Sequence, residues 1–323
     1  MSGGRLPSYE QLKTRTEAPS GTSWGLLGDL GTIGLLTASR VREAVKCVVT
    51  GDVYNLDWPI NAFDPPTSAT RRPAQHHIFQ KRPTHRDDYL DSLYLQSTTQ
   101  IDGLRHQGHI EVGFYNGTAA EELVEDGGPL GVDVWAEHGI VGRGVLLDVD
   151  RHLVATRGAG LHHADGESFP IGLLAAVAEA QRVKLRSGDI LLVRTGWAEH
   201  YFEGMTEAER AALPGALRCS GLAQSEEAVG WLWDQGISLL ISDNIAVEAV
   251  PPVPSSEFAR VSPDGRLHPV LIAKLGLPLG ELWRLDDLAA ACDRDSRYEM
   301  LVVASPLNLR GGVGSPANAV AIR

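Results

Sequence analysis

The chain has 323 residues and a formal net charge of −12, from 29 Lys and Arg against 41 Asp and Glu. Hydrophobic residues at 43% and charged residues at 22% are the balance of a soluble globular chain and exclude a disordered one. The acidic balance argues against a nucleic-acid-binding surface, which needs clustered Lys and Arg, and every apolar run is too short for a membrane span.

At the N-terminus no basic segment precedes an apolar run, so no signal peptide is expected. The next stretch reads as turns followed by one helix, with Thr37 or Ser39 as N-cap and apolar spacing through Val41, Ala44, Val45 and Val48. Residues 62–88 are rich in Pro, Arg, His and Asp and show no periodicity. They predict a long surface loop or arm, of the kind used for function or assembly.

Segment QSTTQIDGLRHQGH (96–109) is the densest polar cluster. If extended, its alternation places Gln96, Thr98, Gln100 and Asp102 on one face. A plainer reading is a polar edge strand with a turn at Asp102 and Gly103. Further on, VLLDV (145–149), DILLVRT (189–195), ISLLIS (237–242) and MLVVAS (300–305) read as buried strands. Helical patterns lie between them, at 169–183, after the capping box Thr206 to Glu209, at 225–233 before Gly236, and at 268–276. Strand–helix alternation predicts an α/β fold with a largely buried sheet. The expected organisation is an N-terminal extension and loop-rich arm (1–89) on an α/β domain (90–323), together one folded unit.

Cys47, Cys219 and Cys292 form no CxxC pair, which argues against a disulfide framework and for a reducing, cytoplasmic setting. The HExxH, GxxxxGK[ST] and GxSxG motifs are absent. The glycine-rich RGGVGS (310–315) follows a strand but precedes no helix pattern, so no nucleotide site is expected there.

Residues 96–106 resemble, in register, the motif HxGTHxDxxxH of the cyclase family, which includes bacterial kynurenine formamidases and isatin hydrolases. Thr99, Asp102 and His106 stand at the motif's Thr, Asp and final His, while Gln96 and Gln100 replace its two leading histidines and Thr98 its glycine. Five later segments are similar in order and spacing: GRGVLLDV (142–149), GDILLVRTGW (188–197), ISDNIAVE (241–248), LHPVLIAKLGLPLGELWRLDDL (267–288) and SPLNLRGGVGSPANAVAI (305–322). In these, Asp243 and Glu248 take acidic positions, and His268 and Glu281 stand where a histidine and a glutamate reach the family's metal centre. The TQxDGLRH variant followed by FYNG (114–117) looks like a divergent branch with a long N-terminal extension.

The resemblance implies a β/β/α architecture with a central mixed sheet, a homodimer or homotetramer, and a small-molecule substrate. It also implies one divalent metal, Mn²⁺ or Zn²⁺, near Asp102, His268 and Glu281 with Gln96 and Gln100 as weaker oxygen donors, and His106 and Asp102 as catalytic residues. Tyr115, Asn116 and His109 are candidate substrate-binding residues, and His76, His77 or His85 is a candidate replacement for the missing imidazoles. The expected activity is hydrolysis of a C–N bond in a small cyclic or aromatic amide. A metal-independent cyclase or lyase working through His106, and a non-catalytic metabolite binder, are the alternatives.

Overall fold

The structure is a computed structural model and describes residues 6–259 and 265–323. In chain order the strands are β1 (Val53–Asn55), β2 (Gln75–Arg82), β3 (His85–Asp91), β4 (Gln100–Asp102), β5 (Ile140–Asp148), β6 (Ser168–Phe169) and β7 (Ile190–Arg194). They continue with β8 (Gly221–Leu222), β9 (Leu239–Ser242), β10 (Leu279–Glu281), β11 (Glu299–Ala304), β12 (Gly314–Pro316) and β13 (Ala319–Ile322). Nine of these make one mixed sheet in the order β1-β13-β11-β5-β7-β9-β10-β4-β12.

Strands β5, β7, β9 and β10 run parallel, and every other neighbour in this sheet is antiparallel. Strands β5, β7 and β9 carry runs of Ile, Leu and Val, and Leu146, Leu191 and Ile241 are fully buried. Helix Glu226–Gln235 shows how the covering elements form. Ser225 caps its first turn by accepting from Ala228 N at 3.1 Å, Gly236 ends it in the left-handed region, and Ala228, Val229, Leu232 and Trp233 turn inward.

The N-terminal residues pack onto this body. Helix Tyr9–Thr14, with a Ser8–Gln11 capping box, is tied to Glu226–Gln235 by Tyr9 N donating to Asp234 (2.7 Å), while Trp233 Nε1 donates to Pro7 O (2.8 Å). Strand β1 extends the sheet beyond β13. Tyr9, Leu12 and Leu27 thus share one hydrophobic core with the central strands.

Two expectations need correction. Residues 75–91 are not irregular: β2 and β3 pair as an antiparallel hairpin, exposed along almost its whole length. Ile78 and Leu90 lie on one face and Phe79 and Tyr89 on the other, so no face is buried and the strand alternation is masked. The segment 268–276 does not form an ordinary α-helix. It closes as a π-helical turn, Val270–Lys274, and Gly276 turns left-handed beneath the Tyr115 ring. Among the described residues no helix is long and apolar enough to cross a membrane.

Candidate active site

The site is built on the short flank β10-β4-β12. Gln100 lies directly across from Glu281, and Asp102 follows two residues along on the same face. Gly280, between them on β10, is required by a close approach: a Cβ there would lie 2.7 Å from Trp283 Nε1. That indole instead donates to Gln100 O at 2.9 Å and pins β4. Gln100 Nε2 donates to Glu281 Oε2 at 2.6 Å, a cross-strand pair.

His268 enters from the segment after residue 265 and stands between two carboxylates. Its Nε2 is 2.9 Å from Glu281 Oε1 and its Nδ1 is 2.5 Å from Glu248 Oε1. Glu248 also accepts from His268 N (3.1 Å), Leu267 N (2.7 Å) and Gln224 Nε2 (2.7 Å). Burial opposes charge on His268, but the hydrogen bonds and charges of Glu248 and Glu281 outweigh it and raise its pKa to about 10. Ligand atoms of Asp102, His268 and Glu281 all lie within 4.8 Å of one another.

Asp102 is buried, and its carboxyl is pushed well above the usual range, first by burial and then by the charge of Glu281. Its Oδ1 and the Oε1 of Gln100 are buried without a hydrogen-bond partner. Such orphaned acceptors beside an imidazole and a second carboxylate are the donor set that suits a divalent ion. The residues therefore fit a metal. His106 Nε2 lies 3.7 Å from Asp102 Oδ2, a neighbour beyond hydrogen-bond range. Burial, then the charge of His268, holds His106 down to about 4, so it is a neutral imidazole at pH 7.

The backbone is strained beside both glutamates. Val247 (φ 58°) and Leu282 (φ 57°) are left-handed, a costly choice for a β-branched and a bulky residue. Asn244 holds both, its Oδ1 accepting from Val247 N (2.6 Å) and its carbonyl from Leu282 N (2.8 Å). Thr99 completes the frame by donating to Leu282 O (2.7 Å) and accepting from Trp58 N (2.9 Å). Trp58 leads into an aromatic cluster with Phe63 and Phe202. Cys219 belongs to that cluster and meets Glu248 O through its thiol at 3.6 Å, so the cluster adjoins the acid–imidazole group.

The structure therefore brings together Asp102, His106, His268, Glu281 and Gln100. Gln96 is not in this group but at its β12 edge: its carbonyl accepts from Arg71, and its amide packs against Gly314, the β12 partner of Asp102. Tyr115, expected to line the pocket, is instead fully buried in the core, where its hydroxyl is 3.4 Å from Ser23 Oγ. Asn116 is left-handed and half-buried, accepting from Gly25 N and donating to Gly28 O, which ties a turn to the N-terminal segment. His109, the third candidate substrate contact, is buried, and its Nδ1 accepts from Glu111 N at 3.3 Å within a local turn. The loop histidines lie on the hairpin, where His76 pairs with Asp88, His85 with Asp87, and His77 stacks on Tyr89. None of them joins the Asp102 group.

Sequence reasoning did not single out Gln224, Asn244 or Arg71 for the site, and it placed Glu248 at an acidic position without giving it a partner. The signal for Glu248 is its acidic position in ISDNIAVE, twenty residues before His268.

The sequence pattern of the family described as "Cyclase: Putative cyclase" matches residues 56–249, more than half of the chain. A solved structure described as a novel cyclase is 29% identical, covering 94% of this chain and 99% of its own, with a TM-score of 0.80. Isatin hydrolase A from Labrenzia aggregata, bound to benzyl benzoate, is 17% identical over 86% of this chain and 94% of its own, with a TM-score of 0.57. Isatin hydrolase A from Ralstonia solanacearum is 15% identical over 84% of this chain and 91% of its own, with a TM-score of 0.54. At those identities the isatin hydrolases share the fold alone. No curated protein matches the sequence. With its sequence match and its nine-stranded mixed sheet, the chain belongs to the cyclase family.

Proposed function

We propose that this chain is a metal-dependent hydrolase of a C–N bond in a small cyclic or aromatic amide. The observation that carries the reading is the buried convergence of Asp102, His268 and Glu281, with Asp102 Oδ1 left unpartnered. These three residues would hold one divalent ion, Mn²⁺ or Zn²⁺, with Gln100 Oε1 as a further oxygen. When bound, the ion supplies Lewis acidity, which favours water ionisation and carbonyl polarisation.

The chain's own residues do the rest. Glu248 orients the His268 ring through Nδ1 and leaves Nε2 facing Glu281. His106, neutral and half-buried, accepts the proton of the attacking water as the new C–O bond forms. It then returns that proton to the nitrogen as the C–N bond breaks, so the products are a carboxylic acid and an amine. The tilted rings of Trp58, Phe63 and Phe202 lie beside the motif, where Trp58 N donates to Thr99, which supports an aromatic substrate.

A second reading has its own observation. Without an ion, both Glu281 oxygens are satisfied, one by His268 and one by Gln100. This favours a metal-independent cyclase or lyase in which His106 does the acid–base work. The test is turnover of formanilides, lactams and isatin-like amides before and after exhaustive chelation. Loss on chelation and recovery with Mn²⁺ or Zn²⁺ supports the hydrolase; full activity in chelator contradicts it.

The proposal includes a homodimer or homotetramer, supported by a hairpin with apolar residues on both faces. It also includes a reducing, cytoplasmic setting, supported by three unpaired cysteines.

A further inference from the structure

The loop before the hairpin is built to present one side chain. Residues 61–74 are stapled at their base, where Asn61 Nδ2 donates to Ala74 O (2.7 Å) and Ala74 N donates to Asn61 Oδ1 (2.9 Å). Phe63 and Thr67 anchor the loop in the interior, and Arg71 N closes a turn on Ser68 O at 3.1 Å. A loop so closed and anchored holds its tip in one place.

Arg71 is half-buried and donates through Nη1 to the carbonyl of Gln96. The Gln96 amide packs against Gly314, which pairs with Asp102 across β12 and β4, so the guanidinium sits at the edge of the site. Yet among the described residues Arg71 has no carboxylate partner, and its Nε and Nη2 carry no hydrogen bond. The more deeply buried guanidiniums are all engaged. Arg143 meets Asp189 and Glu299, Arg194 meets Asp148 and Asp286, and Arg105 is spent on four backbone carbonyls.

A half-buried guanidinium with a free edge is a fork for a planar anion, because two parallel N–H groups match the two oxygens of a carboxylate. The site's own carboxylates are occupied or turned inward: Glu248 and Glu281 bind His268 and their amide partners. We propose that Arg71 is a substrate-binding residue that grips a carboxylate on the substrate, so that the site selects amides carrying an acid group. This rests on Asp102 and His106 marking the reaction centre.

The test is calorimetric binding of benzoate and of benzamide, its neutral isostere, to the metal-loaded full chain. Wild type is expected to bind benzoate more tightly. Arg71→Gln should weaken benzoate about 10- to 100-fold and leave benzamide unchanged. Arg71→Lys, which keeps the charge but not the fork, should fall between, and exposed Arg72→Gln should match wild type. Equal binding of the two probes by wild type, equal loss of both in Arg71→Gln, or no binding of either overturns the proposal. Because the readout is binding, it is separable from the hydrolase reading. Turnover that survives chelation would sink that reading while the benzoate preference stood or fell alone.

Discussion

The sheet has two unlike flanks. Beyond β5, strands β11 and β13 pair over four to six residues and bury Met300, Val302, Ala304, Ala319 and Ala321. Beyond β9, strands β10, β4 and β12 have three residues each and bury Gln100, Asp102 and Glu281. The first flank is held mainly by apolar contact, with the Arg143–Glu299 pair crossing from β5 to β11. The second carries buried charge, which costs several kcal/mol per ion unless it is partnered. Glu248, His268 and Glu281 meet that condition through one chain of hydrogen bonds, while Asp102 Oδ1 does not. Left-handed Val247 and Leu282 add strain beside the glutamates of this flank. Cohesion and chemistry are thus placed on opposite sides of the parallel core.

The sharpest way to break this comparison is Asp102→Asn. Turnover is expected to fall about 10³-fold or more, while the melting temperature holds or rises, because a buried carboxyl beside Glu281 is removed. Kinetics and calorimetry on the same sample check both halves. Leu146→Ala in the parallel core should do the reverse, costing about 2–5 kcal/mol in urea unfolding with little change in kcat of the folded fraction. Glu248→Gln should weaken metal affinity about 10- to 100-fold, read by competition with a chelating dye.

A smaller effect concerns pH. Burial, then the neighbouring His200, holds His163 down to about 4 from the ordinary 6.5. The neutral ring therefore contributes stability that is complete above pH 6.5 and is lost as pH falls through about 4. His163→Gln should flatten the acid-side decline in melting temperature across that window. The smallest effect on the folded chain is expected from the pair Phe79→Ser and Tyr89→Ser on the hairpin. Their removal should change unfolding free energy by less than about 0.5 kcal/mol. Sedimentation of this double variant should show smaller species than wild type if the hairpin joins protomers.

Much of the apolar side was legible in the sequence. Runs such as 189–195 and 300–305 become β7 and β11 because burial on both faces leaves an uninterrupted apolar signature. The capping box at Thr206 and Glu209 is present as expected. The hairpin was not legible because neither of its faces is buried, so alternation never shows. On the polar side, the motif register placed Asp102 beside His106, and segment order placed His268 and Glu281 with them. The chain turns away after Gly103, which carries His109, Tyr115 and Asn116 to other parts of the fold despite their nearness in sequence. Arg71 and the pairing of Glu248 with His268 stayed hidden because the partners lie twenty or more residues away and leave no local pattern.

The most direct measurement is elemental analysis of untagged protein for bound divalent metal, for wild type and for Asp102→Asn. The account predicts about one ion per chain in wild type and none in the variant. A wild-type chain that stays metal-free after soaking in Mn²⁺ and Zn²⁺, or an ion that persists in Asp102→Asn, would contradict it.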